Sequence, residues 1–269
     1  MSKKIVEFNA FGADPEVFLI DKEGKAVSSE GLIGGTKEEP IPISEEGHSL
    51  QEDNVMVEFN IPPVRDVGRL KREIAYCLAT IKNRVNYDIA IVPSIKFTDE
   101  QLSTDQAKEF GCSVDFNVWL ECEYPEIKPE KNTRYAGGHI HISYDNPTVE
   151  ITECIVKAMD LFLGVPAVIM DEDEDRKNVY GKSGRFRITD YGLEYRTLSN
   201  FWLKSEELME WAFNQTMLAI DFVNNENKIK EFSDSIRTAI DTNNKKMAMD
   251  ISKEHNIKYI QQYVKVQRD

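Results

Sequence analysis

Residues 137–144 read Gly-Gly-His-Ile-His-Ile-Ser-Tyr, a strict alternation of polar and large apolar side chains behind two glycines. Side chains on a β-strand point to opposite faces with a period of two. A strand here carries His139, His141 and Ser143 on one face and buries Ile140, Ile142 and Tyr144 on the other. The glycines let backbone or ligand approach closely. Two of the four histidines of the chain lie on this one face. The segment therefore predicts a half-buried sheet with polar chemistry on its open side.

Other segments read as neighbours for this strand. Residues 4–9 form a short strand. Residues 12–21 form the next, with Pro15 at its start and Asp14 and Glu16 facing the same way, and Glu23-Gly24 turns it into residues 26–28. Residues 29–50 show no periodicity and read as a long loop, the kind that often carries function. Residues 54–60 alternate again, with Glu58 on the polar face and Asp53 just before the strand. Residues 87–93 return as a strand, 96–111 hold a short helix within a loop, 112–123 have strand character from Val114 to Leu120, and 124–136 read as loop.

Helices fill the remainder. Asp66 caps a helix whose apolar stripe is Val67, Leu70, Ile74, Cys77, Leu78, Ile81 and Val85. Asn146-Pro147 opens a second, with Ile151, Ile155, Met159 and Phe162 buried, and Gly164-Val165-Pro166 breaks it. The acidic run 171–175 reads as a solvated face. From Ser205 the stripe Leu208, Trp211, Ala212, Gln215, Leu218, Ala219 and Phe222 marks a third helix, and residues 226–244 and 246–264 continue in weaker helical patterns. The chain divides into a catalytic region, residues 1–204, and a helical extension, 205–269, packed on the same domain.

Composition narrows the functional classes. The formal net charge of −14 excludes bulk attraction to nucleic acid or to an anionic membrane. The four cysteines form no CxxC pair and no zinc-like spacing, which predicts reduced, buried thiols. No stretch approaches the roughly 18 apolar residues of a membrane span, and no secretory leader precedes the first strand. These features predict a soluble protein of a reducing cytoplasm. There is no GxxxxGKS loop, no GxGxxG turn and no GxSxG elbow.

What the strands do offer is a set of ligands: Asp14 and Glu16, Glu58 with Asp53 near it, His139 and His141, and Glu194 with Arg196. Carboxylates on three strands plus imidazole on a fourth suit hard divalent cations, Mg2+ or Mn2+. Beside them lies a basic run, Arg176, Lys177, Lys182, Arg185, Arg187 and Arg196, in an otherwise acidic chain. Arg185 and Arg187 share one strand face. Guanidinium groups bind phosphate and carboxylate bidentately, so this set suits a nucleoside triphosphate and an acid substrate.

In the order residues 12–21, 51–62, 137–143 and 185–202, these motifs resemble the carboxylate–amine ligases of the glutamine synthetase and glutamate–cysteine ligase superfamily. The nearest likeness is to the COOH·NH2 ligase type 2 family of bacteriophages and Firmicutes. The resemblance spans roughly residues 8–202. It matches Asp14 and Glu16 to a paired-acid strand, His139 and His141 to an H-x-H strand, and Glu194 and Arg196 to an E-x-R strand. Asp14 stands where the synthetases usually carry Glu, and the β-grasp domain that precedes their catalytic domain has no counterpart.

The resemblance implies an α+β fold: a curved, mostly antiparallel sheet whose concave face holds the site, with helices on the outer side. It also implies ATP-dependent amide formation through an acyl phosphate, with Mg2+ or Mn2+. Glu16 and Glu58 would hold one metal, and Asp14, His139 and Glu194 a second. Arg185, Arg187 and Arg196 would act on the γ-phosphoryl group or the acid, with His141, Arg176, Lys182 and Arg187 contacting nucleotide or substrate. Residues 180–185, with Gly181 and Gly184, read as a loop closing over the site. The partners would be small-molecule or peptide carboxylates and amines, with homo-oligomers allowed. Two rivals share the ligand set: a guanidino-type phosphotransferase and a catalytically silent nucleotide- or metal-binding module.

Overall fold

The computed structural model describes residues 5–108, 116–120, 122–123, 130–171, 174–225 and 233–264. Its strands are β1 (Phe8–Ala13), β2 (Glu16–Ile20), β3 (Ala26–Val27), β4 (Ile41–Pro42), β5 (Ser49–Asp53), β6 (Met56–Asn60), β7 (Asp88–Ala90), β8 (Ser94–Lys96), β9 (Phe116–Asn117), β10 (Cys122–Glu123), β11 (Thr133–Tyr135), β12 (Ile140–Tyr144), β13 (Arg185–Thr189) and β14 (Gly192–Tyr195). Its helices are α1 (Val67–Arg84), α2 (Asp105–Lys108), α3 (Val149–Met159), α4 (Val165–Met170), α5 (Arg176–Val179), α6 (Glu206–Asn224), α7 (Ser233–Asp241) and α8 (Lys245–Glu254).

The fold is α+β, and the strand pairings among the described residues are antiparallel. One six-stranded sheet runs β1-β12-β14-β13-β9-β10, a second runs β3-β2-β6-β5-β4 with β7 also on β2, and β11 pairs with β8 in a separate two-stranded sheet. The first two meet at the Asp14-Pro15 link between β1 and β2. There Glu16 N–H donates to Gly137 O (3.0 Å), Ile61 N–H to Ala13 O (3.2 Å) and Phe59 N–H to Pro15 O (3.2 Å). Backbone pairing thus continues around the corner and gives one curled surface with a concave polar face.

The alternation of residues 137–144 sets the layering. Ile140, Ile142 and Tyr144 are buried among the helices, while His141 and Ser143 are half-buried on the other face. Gly138 allows the closest approach in this region. A Cβ there would fall 2.3 Å from Ser199 O and 2.5 Å from Trp202 Nε1, and Trp202 Nε1 donates to Gly138 O at 3.0 Å. On the outer side, α1 is capped as its sequence predicts, Asp66 accepting from Arg69 N–H at 2.8 Å, and it buries Leu70, Ile74, Cys77 and Ile81. Ser205 caps α6 through Leu208 N–H. Leu218, expected in the buried stripe of α6, is instead exposed in a surface groove with Trp211, Phe162 and Tyr259.

Several boundaries differ from the sequence reading, each for a local reason. The first strand is β1 rather than residues 4–9. Asn54 adopts φ 59° in the tight β5–β6 turn, so that strand begins at Met56. Residues 29–50 hold β4 and the start of β5, and residues 124–136 hold β11. Residues 112–123 contain the β9–β10 pair rather than one strand, and Val114 lies outside the described residues. Asn146 takes a left-handed turn (φ 51°), so Thr148 caps α3 by accepting from Ile151 N–H. Cys77 is buried as expected, but Cys154 lies on the exposed face of α3. Gly164-Val165-Pro166 does not break the helix: a π-turn, Asp160–Gly164, leads directly into α4. Pro166 then lies in the first turn of α4, where a missing N–H costs least. Of the acidic run, Glu172 and Asp173 lie outside the described residues, as do residues 226–232. No helix among the described residues is long and apolar enough to cross a membrane.

Because Ser199 O is backbone, the Gly138→Ala contact cannot be relieved by a rotamer change. We expect this variant to lose about 2 kcal/mol of stability, in the range of core overpacking, measured as a lower urea midpoint with an unchanged slope.

Candidate active site

Register aligns the polar side chains in two rows. Across the first sheet, Gly12 (β1), His141 (β12), Glu194 (β14) and Arg187 (β13) are cross-strand neighbours. Across the second, Glu16 (β2) pairs with Glu58 (β6), which pairs with Gln51 (β5). Asp14, on the link between the sheets, stands between the rows. Two donor groups result, each with ligand atoms within 4.8 Å of one another: Asp14, His141 and Glu194, and Glu16, Asp53 and Glu58. Asp53, which the sequence left beside its strand, closes the second group.

The two groups differ in how their charge is balanced. In the first, His141 Nε2 lies 2.9 Å from Asp14 Oδ1, and His139 Nδ1 lies 3.5 Å from Asp14 Oδ1 and 3.2 Å from Glu194 Oε1. Glu194 also meets Arg187 Nη1 at 3.0 Å and forms a close ion pair with Arg196. Burial pushes Glu194 upward, but His139 and Arg196 overcome it and hold the carboxyl at about 2. Burial also works against ionised Asp14, yet the charge of His141 and the contact with His139 hold it well below the usual carboxylate range. Burial lowers both imidazoles, and Arg196 lowers His139 further. The carboxylates outweigh these effects and leave both above the ordinary histidine value.

The second group lacks such partners. Burial, then repulsion from Asp53, raises Glu16 to about 7, although its Oε2 accepts from Gly137 N–H at 2.5 Å. Glu58 is raised well above its ordinary value, by burial and then by Asp14, Asp53 and Glu16, against an opposing pull from Lys37. Three carboxylates forced together in this way could hold a hard cation, which prefers oxygen ligands. The sets fit Mg2+ or Mn2+: all-oxygen in one case, two carboxylates and an imidazole in the other.

The structure gathers Asp14, Glu16, Glu58, His139, His141, Arg187, Glu194 and Arg196 on the concave face. The other basic candidates hold backbone. Arg176 is buried and donates to Thr197 O (3.0 Å) and Arg196 O (3.4 Å), which fixes the segment behind Glu194. Arg185 Nη1 reaches Val179 O and Tyr180 O, with its guanidinium 5.8 Å from the Tyr180 ring centre. Lys182 Nζ donates to Asp241 O (2.7 Å) and Ser183 N–H to Asp241 Oδ1 (2.8 Å). The segment read as a closing loop is therefore tied to the end of α7. One residue that sequence reasoning passed over is Tyr191, in the β13–β14 turn, whose hydroxyl lies 2.5 Å from His141 Nδ1. Its only signal was an aromatic side chain between two strands that both carry site residues.

A family model described as phage phiEco32-like COOH.NH2 ligase-type 2 matches residues 130–269, just over half of the chain. The chain belongs to this family. Its activity is thus of the carboxylate–amine ligase type. No curated protein matches it. The match takes in His139, His141, Arg187, Glu194, Arg196 and the C-terminal helices, where the sequence likeness was drawn over residues 8–202. In this ligase the carboxylates before residue 130, Asp14, Glu16, Asp53 and Glu58, are joined to the matched part by the fold itself.

The raised acids give a signed pH test. Glu16 has a folded value near 7 against 4.5 when unperturbed, so its contribution to stability is present below 4.5 and lost as pH rises through 7. In EDTA, Glu16→Gln should therefore become more stable than wild type between pH 5 and pH 8, by on the order of 2 kcal/mol. Added Mg2+ or Mn2+ should reverse the order, raising the wild-type Tm more at pH 8 than at pH 6. A Tm difference that is flat with pH in EDTA would contradict the charge balance described.

Proposed function

We propose that this ligase is ATP-dependent and forms an amide through an acyl phosphate. A carboxylate oxygen of the acid attacks the γ-phosphorus of ATP, the bond to the bridging oxygen breaks, and ADP leaves. The amine then attacks the acyl carbon, loses a proton, and inorganic phosphate departs. The observation that carries this reading is the juxtaposition of two oxygen-rich donor groups with guanidinium groups on one concave surface. Phosphoryl transfer needs both: divalent charge across the phosphates and fixed cations for the transferring group.

Glu16, Asp53 and Glu58 would hold one divalent ion, and Asp14, His141 and Glu194, with His139 against them, a second. Bound there, Mg2+ or Mn2+ would neutralise phosphate charge and orient the phosphoryl group. Arg187 and Arg196 are steered by their bonds to Glu194, so their guanidinium planes need little reorganisation to meet phosphate or carboxylate oxygens. Arg176 keeps Arg196 in place through the backbone. Arg185 and Lys182 support the strand that carries Arg187. The resemblance to glutamine synthetases supports the same order of steps, and the acidic net charge suits small or peptide substrates rather than nucleic acid.

The test is product formation from ATP, a panel of carboxylates and a panel of amines. ADP and phosphate should appear only with metal, acid and amine present together, and the product should carry the mass of an amide. Glu16→Gln should lower kcat on the order of 100-fold or more while remaining folded, the scale of losing a fixed charge-stabilising group. Full activity in that variant, or a stable phosphorylated product in place of an amide, would overturn the mechanism.

A further inference from the structure

We propose that Tyr191 is the positioning residue that makes His141 a cation ligand through Nε2, an inference that rests on the divalent-metal reading above. The His141 ring is anchored through one nitrogen. Its Nδ1 lies 2.5 Å from the Tyr191 hydroxyl, and the two rings stack at an interplanar angle of 28° with centroids 6.0 Å apart. On the other side, Nε2 is buried and has no hydrogen-bond partner, and the same holds for Asp14 Oδ1, although the two atoms are only 2.9 Å apart.

A neutral imidazole has one N–H and one lone pair, and the partner of one nitrogen decides what the other offers. With the phenol oxygen accepting from Nδ1–H, the Nε2 lone pair points into the group that also contains Asp14 and Glu194. Nε2 and Asp14 Oδ1 lie 2.9 Å apart, close enough for one cation to take both as ligands. This is the arrangement in which a metal-bound histidine donates its second N–H to an outer partner, and loss of such a partner costs about 10- to 100-fold in metal affinity. Backbone holds Tyr191 in place as well: its carbonyl accepts from Tyr144 N–H (3.2 Å). The residue is 44% exposed, so removing the hydroxyl leaves the core untouched.

Two measurements test this. In Mg2+-saturated protein labelled with 15N-histidine, at alkaline pH, the His141 ring should show a protonated Nδ1 and an Nε2 without a proton; the opposite tautomer would overturn the proposal. Tyr191→Phe should weaken one Mn2+ equivalent about tenfold by titration calorimetry, with an unchanged Tm. Equal Mn2+ affinity in wild type and Tyr191→Phe would overturn the role of Tyr191 while leaving the metal reading intact. A wild-type protein that binds no Mn2+ would overturn the metal reading itself, and this inference with it.

Discussion

Five carboxyl groups, Asp14, Glu16, Asp53, Glu58 and Glu194, converge on the concave face of this protein, and most of the surrounding structure is explained by how their charge is managed. Burial favours the neutral form of Asp14, Glu16, Glu58 and Glu194, and neighbouring carboxylates add to that penalty. The two sheets answer it differently. On the sheet with β12 and β14, two histidines and two arginines are built in, and Asp14 and Glu194 stay ionised. On the sheet with β2, β5 and β6, Lys37 opposes the shift of Glu58 without overcoming it, and Glu16 and Glu58 are pushed towards protonation. One half is thus nearly balanced by the chain itself, while the other is not.

That asymmetry gives the helices a role beyond covering the sheet. The arginines balance the first half only if β13 and β14 keep register, because Arg187 and Glu194 meet as cross-strand neighbours. The strands are held at their ends. Arg176 grips the carbonyls of Arg196 and Thr197, Asp241 of α7 fixes Lys182 and Ser183 just before β13, and Asn243 accepts from Lys177. Behind the sheet, the buried carboxylate of Asp160, itself pushed up to about 7 by burial, takes the hydroxyl of Tyr195 and the indole N–H of Trp119. The C-terminal helices are part of what keeps the arginine strand in place.

Which parts of this were legible in the sequence follows from the kind of signal each part leaves. Strands with one apolar face, such as residues 140–144 and 56–60, and capped amphipathic helices, such as α1 and α6, announce themselves through period and end signals. β5 does not. Its sequence, Ser-Leu-Gln-Glu-Asp, has one apolar residue because both faces are occupied: Gln51 lies beside Glu58, and Glu52 accepts from the backbone of Ile33 and Gly34. Missing β5 is why Asp53 stayed undecided. The basic run 176–187 shows the opposite failure. Charge type alone cannot tell an arginine that faces a ligand from one that ties down carbonyls, since both need the same five donors.

The site is also divided along the chain. The family match begins at residue 130 and supplies the imidazoles, Glu194 and both arginines that meet it, whereas four of the five carboxylates come from the first 60 residues. Neither part forms the cluster alone: β12 without Asp14 leaves His141 Nε2 without the carboxylate it faces, and β2 without Gly137 loses the N–H that anchors Glu16. The joint is backbone, through Asp14-Pro15 and the bond from Glu16 N–H to Gly137 O. Backbone hydrogen bonds constrain geometry without constraining side chains. Delivery of the four early carboxylates to the imidazole strand therefore depends on the chain turning this corner and keeping the register of β2 with β6.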